Sequence, residues 1–257
     1  DRRTRPRLHG QARRPRVERA RREQRLDRVR RDLAGHVVDV RLDHDVRRAL
    51  ALALELTGFD LAALAPFLES PELELAGRAK GRGRLEGPYA ALDSLALELA
   101  LERSLIRRGE LSLSGPFSLG VTVAKPFDPA RSGRIEVDLA LADVRYGERF
   151  LKPAGVRAKL ATKFESNAAG DLVFETRGPL NNINELALRG ALGAKTILAL
   201  TTSSFDLKGW SGLVPALADF RPEGGLAFEG LSLVRAEGAK DRFGGRLALR
   251  GLDLTLP

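Results

Sequence analysis

The chain has no cysteine or methionine, and its 257 residues include one tryptophan and three histidines. Without cysteine it can form no disulfide, thiolate metal site or thiol nucleophile. The histidines, His9, His36 and His44, all lie near the start, so the rest of the chain has no imidazole for acid–base catalysis, a Ser-His triad or a metal site. We therefore predict that the protein is not an enzyme and uses no metal and no cofactor.

Long apolar runs are also missing from the sequence. No window approaches the roughly 18 consecutive apolar residues that a membrane-spanning helix needs. The chain begins with Asp1 and has neither an initial methionine nor the apolar segment of a signal peptide. We expect the sequence to be a fragment of a longer protein.

The positive charge of the chain is concentrated in its first fifth. Residues 1–50 contain 17 arginines, no lysine and 8 acidic residues, and this excess of nine equals the whole formal net charge of +9. Residues 1–49 are therefore predicted to be a basic low-complexity tract, either disordered or a solvated helix from about Val17 to Leu33.

Three interpretations of this basic tract are open: a solvated linker, a stretch that is not native coding sequence, and a nucleic-acid-binding tail. Specific binders of nucleic acid usually place aromatic residues among the basic ones. The tract has no such interleaving. The first two interpretations are favoured, and no specific nucleic-acid partner is predicted.

From about Arg47 onward, apolar residues recur at every second position. The clearest runs are Leu95, Leu97, Leu99 and Leu101, then Ile135, Val137, Leu139 and Leu141. Shorter runs contain Leu226 and Phe228, and Leu247 and Leu249. This alternation places one face of a strand against apolar material and the other face in water. It outweighs the weak intrinsic strand propensity of leucine and alanine, and it predicts a mostly β protein with a long antiparallel sheet.

Glycine and proline mark the ends and irregularities of the predicted strands. Gly-Pro pairs follow alternating runs at Gly87-Pro88, Gly115-Pro116 and Gly178-Pro179. Each pair is predicted to form a turn, and the glycines from Gly81 to Gly87 are also assigned to turns. In residues 226–233 and 247–254 the apolar parity slips by one position after glycine, which predicts β-bulges at Gly230 and Gly251.

Two segments have helical rather than strand spacing of their leucines. Asp60 to Leu68 and Trp210 to Phe220 are predicted to be short amphipathic helices, with Asp60 as an N-cap. Both belong to an internal repeat, starting near residues 59 and 205, of strand end, helix, Pro-Glu turn and strand. Residues 50–257 are accordingly assigned to one repetitive β region.

The Phe-Asp-Leu and Leu-x-Pro-x-Leu motifs, followed by strands with Gly-Pro and Leu-x-Leu-x-Gly, resemble the AsmA-like and TamB-like proteins of Gram-negative envelopes. Further motifs of this style are Gly83-Arg84-Leu85-Glu86-Gly87-Pro88 and Gly245-Arg246-Leu247-Ala248-Leu249-Arg250-Gly251. The resemblance covers roughly Leu50 to Pro257 and consists of periodic style rather than an invariant motif.

The resemblance implies a curved, repetitive, antiparallel sheet that forms an open or taco-like groove. Members of that family are anchored in the inner membrane by an N-terminal helix, extend through the periplasm and are implicated in moving phospholipid between membranes and in outer-membrane biogenesis. The implied partners are phospholipid acyl chains and other envelope proteins, and membrane association would depend on an anchor that this sequence lacks. The candidate lipid-facing residues are Leu95, Leu97, Leu99, Leu101, Ile135, Val137, Leu139, Leu141, Leu226, Phe228, Leu247 and Leu249.

Two other functions are compatible with the residues. The first alternative is a structural or adhesive β-repeat protein with a closed core, because a leucine stripe also suits an ordinary interior. The second is nucleic-acid binding through the N-terminal arginine tract. An apolar face open to solvent would disfavour the closed core.

Overall fold

The protein is mostly β, and its strands form one open antiparallel sheet. The computed structural model describes residues 37–43, 50–63, 70, 72–88, 91–167, 170–236, 238 and 240–254. The strands are β1 (Val37–Asp43), β2 (Leu50–Asp60), β3 (Leu73–Gly87), β4 (Ser94–Arg108), β5 (Leu111–Ala124), β6 (Ser132–Asp138), β7 (Asp143–Tyr146), β8 (Phe150–Lys152), β9 (Lys159–Ser166), β10 (Leu172–Pro179), β11 (Glu185–Leu192), β12 (Lys195–Leu200), β13 (Ser204–Asp206), β14 (Pro222–Ala236) and β15 (Arg242–Leu254). The described residues include no helix of seven or more residues.

The strand order follows the sequence with few departures. The main path is β1-β2-β3-β4-β5-β6-β9-β10-β11-β12-β14-β13, and β15 pairs with β14 on its other side. The β7–β8 hairpin pairs with the N-terminal end of β5. Strands β6 and β9–β12 are six to eight residues long, whereas β3–β5 have 14 or 15. The β7–β8 hairpin lies beside the part of β5 that β6 does not reach. The 207–220 segment is next to this hairpin, because the Leu151 N–H donates to the Leu213 carbonyl.

The sheet includes a strand from the segment that composition assigned to the basic tract. Val37–Asp43 forms β1, which pairs antiparallel with β2. The other residues of the tract, 1–36 and 44–49, lie outside the described residues, and so does the helix predicted from Val17 to Leu33.

The predicted bulges at Gly230 and Gly251 are confirmed. Gly230 and Leu231 of β14 together lie opposite a single residue of β15. Gly251 and Leu252 of β15 together lie opposite a single residue of β14. Gly230 has φ 62° and Gly251 has φ 57°, the left-handed conformation of a glycine bulge. The extra residue absorbs the slip in parity, so the apolar side chains before and after each glycine stay on one face.

Replacing Gly251 by alanine is expected to lower the free energy of unfolding by about 1–2 kcal/mol, the cost of a left-handed L-residue. Urea denaturation measures the change. Gly212→Ala is the matched control, because no heavy atom lies within 4 Å of the added Cβ and Gly212 does not have a left-handed φ. Equal losses in both variants would contradict the bulge explanation.

The Gly-Pro prediction is correct for two pairs and wrong for one. Gly87 and Pro179 end β3 and β10, whereas Gly115-Pro116 lies inside β5. Pro116 faces the bulge of β4 on one side, between the pairs Leu101↔Phe117 and Ser104↔Gly115. On the other side it falls in the gap between β6 and β7. The missing N–H of Pro116 therefore costs no ladder hydrogen bond.

The predicted amphipathic helix from Trp210 to Phe220 is wrong. The region contains two 3-10 turns, Leu207–Gly209 and Pro215–Leu217. Pro215 lacks an N–H donor, and the Leu213 carbonyl accepts from the Leu151 N–H of β8 instead of a helical donor. In the first repeat residues 61–63 also form a 3-10 turn, and residues 64–69 lie outside the described residues.

The strand predicted to contain Leu139 and Leu141 ends earlier, at Asp138. The Asp138 carboxylate accepts a hydrogen bond from the Ala140 N–H at 3.0 Å and turns the chain. The following carbonyls then point to the ammonium group of Lys152 rather than to a neighbouring strand. Leu141 is consequently 64% exposed.

The protein core is small for a sheet of this size. The buried apolar residues are Phe59, Leu61, Ala79, Leu101, Ala142, Ala158, Phe205 and Leu213. No large side chain among the described residues is fully buried. Most leucines and valines of the sheet are half-buried, because they are shielded by neighbours within the sheet and not by a second layer of described residues.

Candidate functional site

One face of the sheet carries continuous rows of apolar side chains. The strand register aligns one position from each strand in a row from β2 to β15, and every position in it is apolar or glycine. This first row is Leu52, Leu85, Leu95, Val123, Gly133, Phe164, Phe174, Gly190, Leu198, Leu233 and Phe243.

Two further rows run parallel to the first on the same face. The second row is Leu54, Gly83, Leu97, Val121, Ile135, Thr162, Thr176, Leu188 and Leu200. The third row is Leu56, Gly81, Leu99, Leu119, Val137 and Leu160. We call the three rows together the apolar face.

Glycines within these rows are covered by their neighbours. A Cβ added to Gly133 would lie 2.7 Å from Cζ of Phe164, and one added to Gly190 would meet the ring of Phe174. Gly81 and Gly83 lie inside β3 rather than in the predicted turn, and a Cβ on Gly81 would lie 2.8 Å from Cδ2 of Leu99. Large side chains therefore lie over the glycines and keep the apolar surface continuous.

The opposite face of the sheet is charged and internally paired. Arg82 and Glu98 face each other on β3 and β4 with a nitrogen–oxygen distance of 2.8 Å. Further ion pairs join Lys80 to Glu102, Arg107 to Glu74, Arg134 to Glu136, and Arg177 and Arg189 to Glu175. The hydrogen bond from Arg177 holds the pKa of Glu175 below its ordinary value. This face is typical of one that contacts water.

The described structure brings most of the predicted lipid-facing residues together. The register places Leu95, Leu97, Leu99, Ile135 and Val137 on the apolar face. Leu101 is on the same side of β4, but it is buried in the core with Phe59, Leu61 and Ala79, so its assignment as a lipid-facing residue is wrong. Across the Gly230 bulge, Phe228 opposes Leu247 and Leu226 opposes Leu249, so these four residues continue the same face at the far end. Leu139 and Leu141 are outside the strands and do not join it.

The apolar face is most exposed at its far end. Phe243, Leu247 and Leu249 of β15 are 79%, 57% and 56% exposed. Inner residues of the rows, such as Leu97 and Val121, are half-buried by their neighbours. All of the described side chains of β15 up to Asp253 are exposed, so at this end the apolar face lies along the edge of the sheet.

Lys152 is a buried residue that sequence patterns did not single out. It is 2% exposed, and its ammonium group donates to the carbonyls of Leu139 and Ala142, both at 2.7 Å, and of Pro153 at 3.1 Å. Burial lowers the pKa of Lys152, while the nearby Asp143 and Asp138 oppose that shift. All of its contacts are structural, and they fix the loop between β6 and β7.

The asparagines after β10 also have structural roles. Asn181 donates to the Gly209 carbonyl at 3.0 Å, and Asn184 donates to the Asp206 carbonyl at 2.9 Å. These bonds attach the 207–209 turn to the end of β10. Trp210 packs on Phe205 at a ring-centroid distance of 5.3 Å, and this contact also holds the segment on the sheet.

Two carboxylates of β6, Glu136 and Asp138, also have structural partners. Glu136 pairs with Arg134, and Asp138 accepts from Ala140. No cluster of three or more His, Cys, Asp or Glu side chains in the described part of the chain has the geometry to hold a metal ion. Within that same part, no helix is long and apolar enough to cross a membrane.

The chain was compared with protein-family models, with curated proteins and with solved structures. None of the three comparisons finds a match.

Proposed function

We propose that the protein is a non-enzymatic lipid-handling segment of a cell-envelope protein of the AsmA-like kind, in which the apolar face shields phospholipid acyl chains. The observation that carries the proposal is the continuous apolar face on a sheet of one layer. In this proposal the sheet curves into an open groove on the periplasmic side of the inner membrane of a Gram-negative bacterium. An anchor outside this sequence would attach it there, envelope proteins would be its other partners, and the function would be intermembrane lipid transport or outer-membrane biogenesis.

The dimensions of the face suit acyl chains. Adjacent strands lie about 4.8 Å apart, so a chain that fills half of a 30 Å bilayer core, about 15 Å long, would cross about three strands. Each methylene removed from water contributes about 0.8 kcal/mol. The first row continues from β2 to β15 and the second from β2 to β12, so a lipid would find apolar contacts at many positions along the face.

Exposure of the face favours this proposal over a closed-core structural protein. A closed sandwich buries its inward side chains against a second sheet, and those side chains then become fully buried. Here Leu97, Val121 and Ile135 are only half-buried, and no large described side chain is fully buried. An acyl chain would supply the missing second layer without any covalent chemistry.

The proposal is tested by the lipid that accompanies the full chain. Purification of the full chain from a Gram-negative host without detergent, followed by lipid extraction and mass spectrometry, should recover phospholipid in at least equimolar amount. A folded monomer that carries no phospholipid, and takes none from added vesicles, would overturn the proposal. A mock purification from cells that do not express the chain controls for carry-over.

A further inference from the structure

The apolar face contains one pair of hydroxyl groups within its second row. Thr162 and Thr176 are directly opposed on β9 and β10, and their Oγ1 atoms lie 2.8 Å apart. Along the row their neighbours are Ile135 and Leu188. They are the only polar side chains in the row.

The hydroxyl pair has a hydrogen left over. Each threonine hydroxyl carries one hydrogen and two acceptor lone pairs. One hydrogen is used between the two oxygens, whichever residue donates it. Among the described residues no acceptor takes the second hydrogen, whereas the buried Ser104 hydroxyl donates its own hydrogen to the Gly115 carbonyl at 2.6 Å.

The surroundings of the pair make that spare hydrogen significant. Thr176 is 9% exposed, and the flanking positions along β9 and β10 on this face are Leu160, Phe164, Phe174 and Gly178. The rings of Phe164 and Phe174 lean to opposite sides, over Gly133 and Gly190, and so away from the seam between the two strands. When an acyl chain covers the face and excludes water, a donor without an acceptor costs free energy.

Resting on the lipid-handling function proposed above, we infer that the Thr162–Thr176 pair is a subsite for the ester carbonyl of an acyl chain. The spare hydroxyl hydrogen donates to the carbonyl oxygen, and the hydrocarbon tail lies along the neighbouring rows. The subsite fixes where along the face the glycerol end of a lipid rests. It selects acyl esters over chains of the same length that lack a carbonyl.

A pair of matched lipids tests this subsite. The full chain is mixed with micelles that contain equal amounts of a diacyl phosphatidylcholine and its dialkyl ether analogue, which lacks both carbonyls. The protein is then re-isolated by gel filtration, and its bound lipids are quantified by mass spectrometry. One neutral hydrogen bond predicts that the wild-type chain binds the ester form about three- to tenfold more than the ether form.

Thr162→Val combined with Thr176→Val should bring the ester-to-ether ratio close to one, because the ester form loses its hydrogen bond. Valine has the shape of threonine and is a good strand former, so the fold is kept. Thr122→Val makes the same exchange on the charged face, opposite Ala96 and Arg134, and should keep the wild-type ratio.

The results that overturn the inference differ from those that overturn the proposed function. Lipid bound at a ratio of one by the wild-type chain would refute the subsite alone. A preference for the ester that survives in the double valine variant would refute it as well. Failure to bind either lipid would refute both proposals.

Discussion

Leu97→Glu is expected to weaken the binding of an acyl chain that crosses Leu97 roughly a hundredfold while the sheet stays folded. Leu97 lies in the second row of the apolar face, between Gly83 and Val121. In the lipid-free protein the new carboxylate is solvated, because the side chain is only half-buried. Under an acyl chain it loses that solvation, and a charge in hydrocarbon costs about 3 kcal/mol, which corresponds to about a hundredfold in affinity.

The matched control for this variant is Ala100→Glu on the same strand. Ala100 lies on the charged face opposite Lys80, where a carboxylate is well placed, and its bound lipid should equal that of the wild type. Lipid extraction with mass spectrometry measures both variants, and circular dichroism follows the fold. If Leu97→Glu unfolds the protein, the apolar face is a core that packs against other protein residues rather than a lipid-binding surface. If the variant binds as much phospholipid as the wild type, the acyl chains do not bind at Leu97.

Phe205→Ala is expected to lower the free energy of unfolding by about 3–5 kcal/mol, as for other buried phenylalanines. Phe205 is 9% exposed and packs edge-to-face on Phe228 at a centroid distance of 4.9 Å and on Trp210 at 5.3 Å. Its loss removes the aromatic contact that holds the 207–220 segment on the sheet. With a total stability of about 5–15 kcal/mol, this is a large fraction.

Urea unfolding and the fluorescence of Trp210, the only tryptophan in the chain, measure this change. We expect a lower midpoint and red-shifted native emission, because Trp210 loses its ring partner and gains water. Phe127→Ala is the control, since Phe127 is 78% exposed and its replacement should change stability by less than about 0.5 kcal/mol. Unchanged emission in Phe205→Ala would mean that the segment is held by the asparagine hydrogen bonds alone.

The alternation of apolar residues was sufficient to predict the strands and most of the apolar face. Leu95 to Leu101 formed a strand despite the helical preference of leucine and alanine, because register with β3 and β5 gives every second side chain an apolar neighbour. The slips at Gly230 and Gly251 were readable because only a bulge keeps both halves of each strand on one face.

Features that depend on contacts between distant residues could not be predicted. The end of β6 at Asp138 depends on Lys152, which donates hydrogen bonds to the carbonyls of Leu139 and Ala142. The alternation of apolar residues within 135–141 does not reveal this distant contact. Thr162 and Thr176 stand at positions where the alternation of β9 and β10 calls for apolar residues, and this departure can be seen in the sequence. Their pairing follows only from the register of β9 and β10.

The order of strands in the sheet has a consequence for how the chain folds. From β1 to β6, and again from β9 to β12, each strand pairs with the one that follows it in sequence. Short sequence separation between partners lowers the entropy lost on loop closure and speeds folding. Successive hairpins can therefore be added as they leave the ribosome, and among the described strands only the β5–β7, β6–β9 and β12–β14 pairings must wait for a longer segment to be synthesised.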